Sequence, residues 1–375
     1  MSYPSLPRLY SAAVLLSLAA ALPAEGFRPA RPGFAFEFPR DHGSHPEFKT
    51  EWWYFTGNVE AENGDPFGYQ LTFFRNRLEP LGGLETASPL AASELFVGHA
   101  GISDGRGKRH GSAERVGRAG LGQASASTET LDVRMSDWKC VLLEDGSIAV
   151  AASGEFGALD LRLTPEKPPV IHGEDGVHQK AADPRQASHY VSFTRLRTEG
   201  TLTWQGAERR VAGTSWMDHE FFSELLDGGD TGWDWFALQL DDDTELMVYR
   251  LKRRDGSYNP NATGTLVLAD RSTVPLAKGG YTIEPTGSWT SPHTGATYPM
   301  GWRIEVPERG IDLAVEALFE DQEMLKQRTT GTAYWEGAVR VTGTSGGRAV
   351  AGVGYVEMVG YASPFTLLGP TVAAD

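Results

Sequence analysis

The sequence predicts an all-β protein made of two β-barrels packed together. Three observations carry this. Short apolar or alternating runs recur along nearly the whole chain, separated by Gly, Asn and Asp turns. Glycine is enriched, at 44 of 375 residues against a usual level of about 7%, which fits many tight turns. Amphipathic helical periodicity is hard to find over any long stretch. The length suggests about two domains at roughly 150 residues each. An internal echo points the same way: Glu51-Trp52-Trp53-Tyr54-Phe55-Thr56-Gly57-Asn58-Val59 resembles Tyr334-Trp335-Glu336-Gly337-Ala338-Val339, each placing Trp shortly before Gly and a strand.

The elements follow in order. Phe34 to Arg40 alternates apolar and polar and reads as a strand. Trp52 to Val59 and Phe67 to Phe74 flank the turn Asn63-Gly64-Asp65, a hairpin pattern. Further strands are read at Leu95 to Ile102, Leu131 to Met135, Ile148 to Ala152, Leu159 to Leu163, His189 to Arg195 and Leu202 to Trp204. The second half repeats the style. Trp235 to Leu240 and Glu245 to Leu251 flank Asp241-Asp242-Asp243, a solvated hairpin turn. Strands at Gly264 to Leu268, Gly301 to Val306, Ile311 to Ala317, Tyr334 to Thr342 and Gly354 to Val359 complete it. Many short strands with close turns suit sandwiches and barrels. The stretch from Pro165 to Gln186, dense in Pro, Gly and charge, is long for a connection and reads as a functional loop at the mouth of the first barrel.

The N-terminus predicts export. Arg8 is the sole charge before Glu25, and the apolar run Ala12 to Leu22 is shorter than the roughly 20 residues a membrane helix needs. With small residues at Ala21 and Ala24, residues 1–24 read as a secretory signal peptide. The mature chain is expected to be periplasmic or secreted, without a transmembrane segment. Barrels are expected over 34–220 and 221–372. The net charge of −15 argues against nucleic-acid binding, which needs a basic surface. The single cysteine, Cys140, excludes an internal disulfide framework and any multi-cysteine metal site.

The chemistry concentrates in Gly213-Thr-Ser-Trp216-Met-Asp218-His219-Glu220-Phe221-Phe222 and Gly232-Trp233-Asp234-Trp235-Phe236. Acids among indoles are pushed toward the protonated form, and aromatic faces stabilise cations. In a strand, Asp218 and Glu220 point to one face and His219 to the other. His99, in an apolar strand, reads as a core or cavity-facing histidine. His172, Asp175 and His178 have metal-like types in a Gly-containing loop, but a real site needs ligands in fixed geometry, and no metal or cofactor is expected. No Gly-x-Ser-x-Gly, P-loop or dinucleotide fingerprint stands in a supporting context.

These motifs, with His99-Ala100…Ser103-Asp104, Lys167-Pro-Pro-Val-Ile-His172-Gly173…Gly176…Lys180, Ser188-His-Tyr190-Val-Ser192…Thr194-Arg195-Leu196, Tyr334-Trp335-Glu336-Gly337 and Gly354-Tyr355-Val-Glu357-Met-Val-Gly360-Tyr361, resemble the AttH-like secreted proteins of the carotenoid hydratase (hydroxyneurosporene synthase) superfamily. The resemblance covers about residues 34–362. It implies two lipocalin-like (calycin) barrels. It implies cofactor-independent addition of water to an isolated isoprenoid double bond, or a related hydrolysis. The Asp-His motif falls on Asp218 and His219, and a tyrosine of the following strand on Tyr249. The aromatic closing the motif is Phe221, where Trp is common. The hydratase type has an acid just after that tyrosine; here Arg250 and Leu251 stand instead. The catalytic group expected is Asp218, His219, Asp234 and Tyr249. The ligand-binding group expected is Trp52, Trp53, Tyr54, His99, Trp216, Glu220, Phe221, Trp233 and Trp235. The partner expected is an apolar isoprenoid- or lipid-like molecule. The alternative is a non-catalytic lipophile carrier or accessory protein of an ABC-type export system, as some members are encoded with such systems.

Overall fold

The structure, a computed structural model, describes residues 26–78, 93–120, 122–226, 229–326, 329 and 331–365. The expected signal peptide lies outside them. Strand makes up 61% of the chain and helix 2%, so the molecule is all-β. Among the described residues no helix is long and apolar enough to cross a membrane.

The first sheet is built from β1 (Thr50–Ala61), β2 (Pro66–Arg77), β3 (Glu94–Asp104), β4 (Arg109–Arg118), β5 (Ala124–Ala126), β6 (Asp132–Met135) and β7 (Trp138–Leu142). It continues through β8 (Ile148–Gly154), β9 (Gly157–Pro165), β10 (Val170–Ile171), β11 (His178–Gln179), β12 (Ala187–Trp204) and β13 (Ala207–Phe222). Its order is β4-β3-β2-β1-β13-β12-β9-β8-β7-β6-β5, with β10 and β11 also paired to β12. Bridges of Ala119 and Gly120 to Ala124 link the two outer ends, so the sheet nearly closes into a barrel.

The second set is β14 (Asp230–Leu240), β15 (Glu245–Arg253), β16 (Gly264–Val267), β17 (Thr273–Leu276), β18 (Thr282–Thr286), β19 (Trp289–Thr290) and β20 (Thr297–Tyr298). It ends with β21 (Gly301–Val306), β22 (Ile311–Ala317), β23 (Glu323–Lys326), β24 (Thr332–Ser345) and β25 (Arg348–Met358). The main sheet runs β17-β16-β15-β14-β25-β24-β22-β21-β18, with β23 on β24 and a separate β19-β20 ribbon. Both halves follow one plan: the last long strand returns to pair with the first, β13 on β1 and β25 on β14.

Each half has its own core, because alternate residues of each strand face inward. Trp53, Phe55, Tyr69, Phe73 and Trp138 are fully buried in the first. Phe236, Leu238, Trp302 and Trp335 fill the second. Glycine also serves close packing here, not turns alone. At Gly337 a Cβ would fall 2.0 Å from the Trp335 ring, and at Gly57 2.4 Å from both Ser215 Oγ and the Tyr69 ring. The two halves are fastened by buried polar bonds. Gln239 Nε2 donates to the carbonyls of Thr194 and Ser215, at 2.7 and 2.9 Å. Lys167 Nζ reaches Glu245 Oε2 at 3.0 Å.

Two expectations change. Phe34 to Arg40 is not a strand; it has no partner strand and ends in a short 3-10 turn at Arg40–His42. Its alternating phenylalanines serve ring packing instead: Phe34 lies against Phe36, His189 and Phe221. The stretch from Pro165 to Gln186 is not a bare loop. Its short strands β10 and β11 pair with β12, and the buried His172 and His178 bond side chains of the second half, Thr265 Oγ1 at 2.8 Å and Thr263 Oγ1 at 2.9 Å.

Candidate functional site

The same alternation that fills the two cores leaves a second face on each central strand, and these faces meet. On β1, Trp53 and Phe55 enter the first core, while Trp52 and Tyr54 turn outward. On β13, Met217 goes inward and Trp216, Asp218 and Glu220 alternate with it. On β14, Phe236 and Leu238 go inward and Trp233 and Trp235 outward; on β15, Leu246 and Val248 go inward and Tyr249 and Leu251 outward. Between the outward faces is a cavity of about 1120 Å³, counting the space at its mouth. Its walls come from both halves: Trp52, Tyr54, Phe74, His99, Tyr190, Asp218 and Glu220 from one, Trp233, Trp235, Tyr249, Tyr334 and Glu357 from the other. Lys180 reaches it from just beyond β11.

Asp218 is the chemical centre of this wall. It accepts hydrogen bonds from Trp216 Nε1 at 2.6 Å, from the Tyr190 hydroxyl at 2.6 Å and from the Ser192 hydroxyl. The register explains the assembly: β12 and β13 pair Ser192 with Asp218 and Tyr190 with Glu220. Burial pushes the Asp218 carboxyl up to about 7, against the opposing pull of its three donors. Behind Ser192 lies His172, whose Nε2 is 2.7 Å from Ser192 Oγ and whose Nδ1 is 2.8 Å from Thr265 Oγ1. Burial, with the Lys180 charge, lowers His172 to about 3, so the ring is neutral. If Ser192 donates to Asp218, it accepts from His172 Nε2–H, which fixes the tautomer.

Glu220 is the partner of Lys180, 2.7 Å from its Nζ, and also accepts the Ser188 hydroxyl. Lys180 is 2.9 Å from His178 Nδ1 and lies over the Tyr190 and Tyr249 rings, 4.9 and 5.0 Å from their centroids. Burial and the nearby ammonium hold His178 well below its ordinary value, so its Nδ1 accepts from Lys180. Across the cavity, Trp233 Nε1 donates to Glu357 Oε2 at 2.6 Å, and burial pushes Glu357 to about 7. Tyr54 donates to Glu336 at 2.8 Å, and His99 Nδ1 meets the Tyr334 hydroxyl at 2.7 Å. The Tyr249 hydroxyl is buried without a well-formed hydrogen bond, with Thr263 as its polar neighbour.

Several expected residues stand elsewhere. Trp216 does not line the cavity but backs Asp218 through its N–H. Asp234 is on the opposite face of β14 from Trp233 and Trp235, bound to Arg250 at 2.7 Å and to the Tyr361 hydroxyl at 2.8 Å. Trp53, His219 and Phe221 belong to a separate network at one end of the first barrel. There Glu51 Oε1 is 2.8 Å from both His45 Nδ1 and His219 Nε2, and Glu51 Oε2 is 2.9 Å from Arg75 Nε. His219 stacks on Trp53 and His45 on Phe221. Strand parity thus turns His219 and Asp234, both expected in the catalytic group with Asp218, away from the cavity: each sits one residue out of phase with the cavity face, as alternation along the strand already required for His219.

This second network also contains the one group of possible metal ligands among the described residues. One atom each from His45, Glu51 and His219 lies within 4.8 Å of the others. They are already joined to one another, His45 Nε2 is 3.2 Å from Asp41, and the Arg75 guanidinium holds the other Glu51 oxygen. That donor set fits an ion-paired hydrogen-bond network better than a cation, which would meet the guanidinium at close range.

Lys180, Tyr190, Ser192, Glu357 and Tyr334 carry roles in the cavity that the sequence did not assign. All stand in the ordered motifs quoted above, which was the available signal. What the motifs lack is the pairing that sets Ser192 beside Asp218.

A family model described as AttH-like matches residues 29–361. The crystal structure of a candidate AttH protein from Nitrosomonas europaea has 35% identity and a TM-score of 0.80, over 89% of this chain and 99% of its own. Kievitone hydratase from Nectria haematococca has 15% identity and a TM-score of 0.68, over 90% of this chain and 96% of its own. CghA with Sch210972 has 15% identity and a TM-score of 0.53, over 88% and 94%. At that identity the last two speak to the fold alone. No curated protein matches the sequence.

Proposed function

The chain belongs to the AttH-like family, and from that premise we propose a cofactor-independent, hydratase-type protein that acts on an apolar isoprenoid- or lipid-like molecule held between its two halves. The observation that carries this reading is Asp218. It is a buried carboxyl in an aromatic cavity, raised to about 7 and bound only to neutral donors. A carboxylic acid still protonated near neutral pH is a competent general acid. In the proposed reaction the Asp218 proton passes to one alkene carbon and the C=C π pair forms the new C–H bond. The other carbon becomes a cation, screened from bulk water by indole and phenol rings. Water adds there and loses a proton to the Asp218 carboxylate, so the net change is one water added. Tyr190, Ser192 and Trp216 hold the carboxyl through each stage. The apolar leader supports a periplasmic or secreted site of action.

A second reading, a non-catalytic lipophile carrier serving an ABC-type export system, is favoured by one observation. The hydratase-type acid after the tyrosine is missing; Arg250 follows Tyr249 and turns away to Asp234. One experiment separates the two. The protein is incubated with an acyclic isoprenoid bearing an isolated terminal double bond, in ¹⁸O-labelled water. The hydratase reading expects one labelled oxygen in the product with the native chain and none with Asp218→Asn. Binding of the isoprenoid with no label incorporated sinks the hydratase and leaves the carrier.

A further inference from the structure

Most buried carboxylates among the described residues have a cation of their own. Glu51 has Arg75, Asp234 has Arg250, Glu220 has Lys180, and Glu245 has Lys167 and Arg195. Asp218 and the half-buried Glu357 differ, as does Glu323, which hydroxyls alone hold away from the cavity. The hydrogen-bond donors of Asp218 and Glu357 are all neutral: an indole and two hydroxyls for one, an indole for the other. Among the described residues, no arginine, lysine or histidine forms an ion pair with either. Both line the same cavity, Asp218 from β13 and Glu357 from β25, so the two halves present them to one space. Lys180 does not offset them, because Glu220 holds its charge and two phenol rings cover it.

The remaining walls favour positive charge as well. Trp233 and Trp235 spend their N–H edges on Glu357 and the Tyr190 hydroxyl, at 2.6 and 3.2 Å. What they leave to a ligand is ring carbon, whose face attracts cations. The buried Tyr249 hydroxyl, without a well-formed bond, is a further polar atom in the same wall. An uncompensated buried carboxylate is costly. Two of them facing one aromatic cavity are balanced best by a cation that arrives with the ligand.

We propose that this cavity selects molecules carrying a positively charged head, an amine or quaternary ammonium, on an apolar body, with Glu357 as the carboxyl that pairs with the charge and Asp218 left to act as the acid on the apolar body. This rests on the reading of the cavity as an apolar binding site and adds the ligand's charge to it.

The test uses three probes with one decyl chain: decyltrimethylammonium, decanol and decanoate, titrated below their micellar or solubility limits into the native protein by calorimetry at about pH 8, where both carboxyls ionise. The expected order is ammonium, then alcohol, then carboxylate, with the ammonium about tenfold tighter than the alcohol. In Glu357→Gln the ratio of ammonium to alcohol affinity is expected to fall to within about twofold. Equal binding of ammonium and alcohol overturns this proposal and leaves the apolar cavity standing. Tightest binding of decanoate also overturns it and makes Lys180 the recognising group. Failure of all three to bind sinks the proposal together with the apolar-site reading. The native ranking decides the matter even if the variant does not fold.

Discussion

Two polar clusters lie on opposite faces of the same strand, built from similar residues and driven in opposite electrostatic directions. On one face of β13, Asp218 shares a cavity with Glu357, and burial raises both carboxyls to about 7. On the other, His219 joins Glu51, His45 and Arg75 in a packed network. Burial would raise Glu51 too, but the Arg75 guanidinium and the bonds from His219 and His45 hold it well below its ordinary value. Burial lowers His219, and its bond to Glu51 does not reverse this. His45 resists burial because Asp41 and Glu51 each accept one of its ring N–H groups, and it ends up raised. The difference lies in the partners, since both clusters are buried. A carboxylate given an internal guanidinium is structural; one given only neutral donors and open space keeps its proton for use.

The largest effect that would break this comparison is expected at Glu51. Glu51→Gln removes the carboxylate that Arg75, His45 and His219 share, leaving Glu94 as the counter-charge of Arg75 and Asp41 as that of His45. Removing one partner of a buried ion pair costs about 3–5 kcal/mol, so urea unfolding should show a loss of that order while probe binding in the folded protein persists. The pH dependence carries the same point. The lowered folded value of Glu51 gives stability that is full above its unfolded value near 4 and is lost as pH falls through the folded value. The native protein should therefore weaken in acid, and Glu51→Gln should flatten that limb. A variant as stable as the native chain would make the network dispensable and the distinction empty.

Asp218 should behave in the opposite sense. Its raised folded value means that stability is full below the unfolded value, near 4, and is lost as pH rises toward about 7. Asp218→Asn imitates the protonated acid and has no such slope. Its unfolding free energy relative to the native chain should climb between about pH 4 and 7 and level off beyond, by at most about 4 kcal/mol for a value raised from about 4 to about 7, while any turnover is lost. A residue that costs stability in its working form is what a functional site predicts. A pH-independent difference would mean that Asp218 is as internally compensated as Glu51.

How much of this could be read from the chain itself follows from the range of each interaction. The all-β class and the β1–β2 hairpin rest on local alternation and turn residues, so Asn63-Gly64-Asp65 and its flanking runs were legible. Strand parity separated Asp218 and Glu220 from His219 before any coordinates. Parity alone does not say which face looks onto a cavity; that depends on β14 and β15 arriving with Trp235 and Tyr249. Asp234 was misplaced for this reason, since a carboxyl between two tryptophans looks cavity-bound until β14 is seen to send Trp233 and Trp235 one way and Asp234 the other. Lys180 and Glu357 approach Asp218 from 38 and 139 residues away in sequence, and no local pattern encodes such meetings. Phe34 to Arg40 shows the converse: its local alternation is real, but no neighbouring strand takes up its backbone.

The smallest effect is also the finest probe of the comparison. In the Glu51 network each oxygen has partners, whereas in the cavity the Tyr249 hydroxyl is buried without a well-formed bond. A hydroxyl kept only for packing would gain little from being there, and removing an unsatisfied buried hydroxyl is close to neutral or slightly stabilising. Tyr249→Phe should therefore change unfolding stability by less than about 0.5 kcal/mol. If the hydroxyl waits for a ligand, the same change should weaken binding of a polar-headed decyl probe a few-fold, and leave an all-hydrocarbon probe of similar length unaffected. A stability loss of about 1–3 kcal/mol, the cost of breaking a buried hydrogen bond, would show that Thr263 satisfies Tyr249 internally. The tyrosine would then belong with Glu51 as structure and not with Asp218 as site.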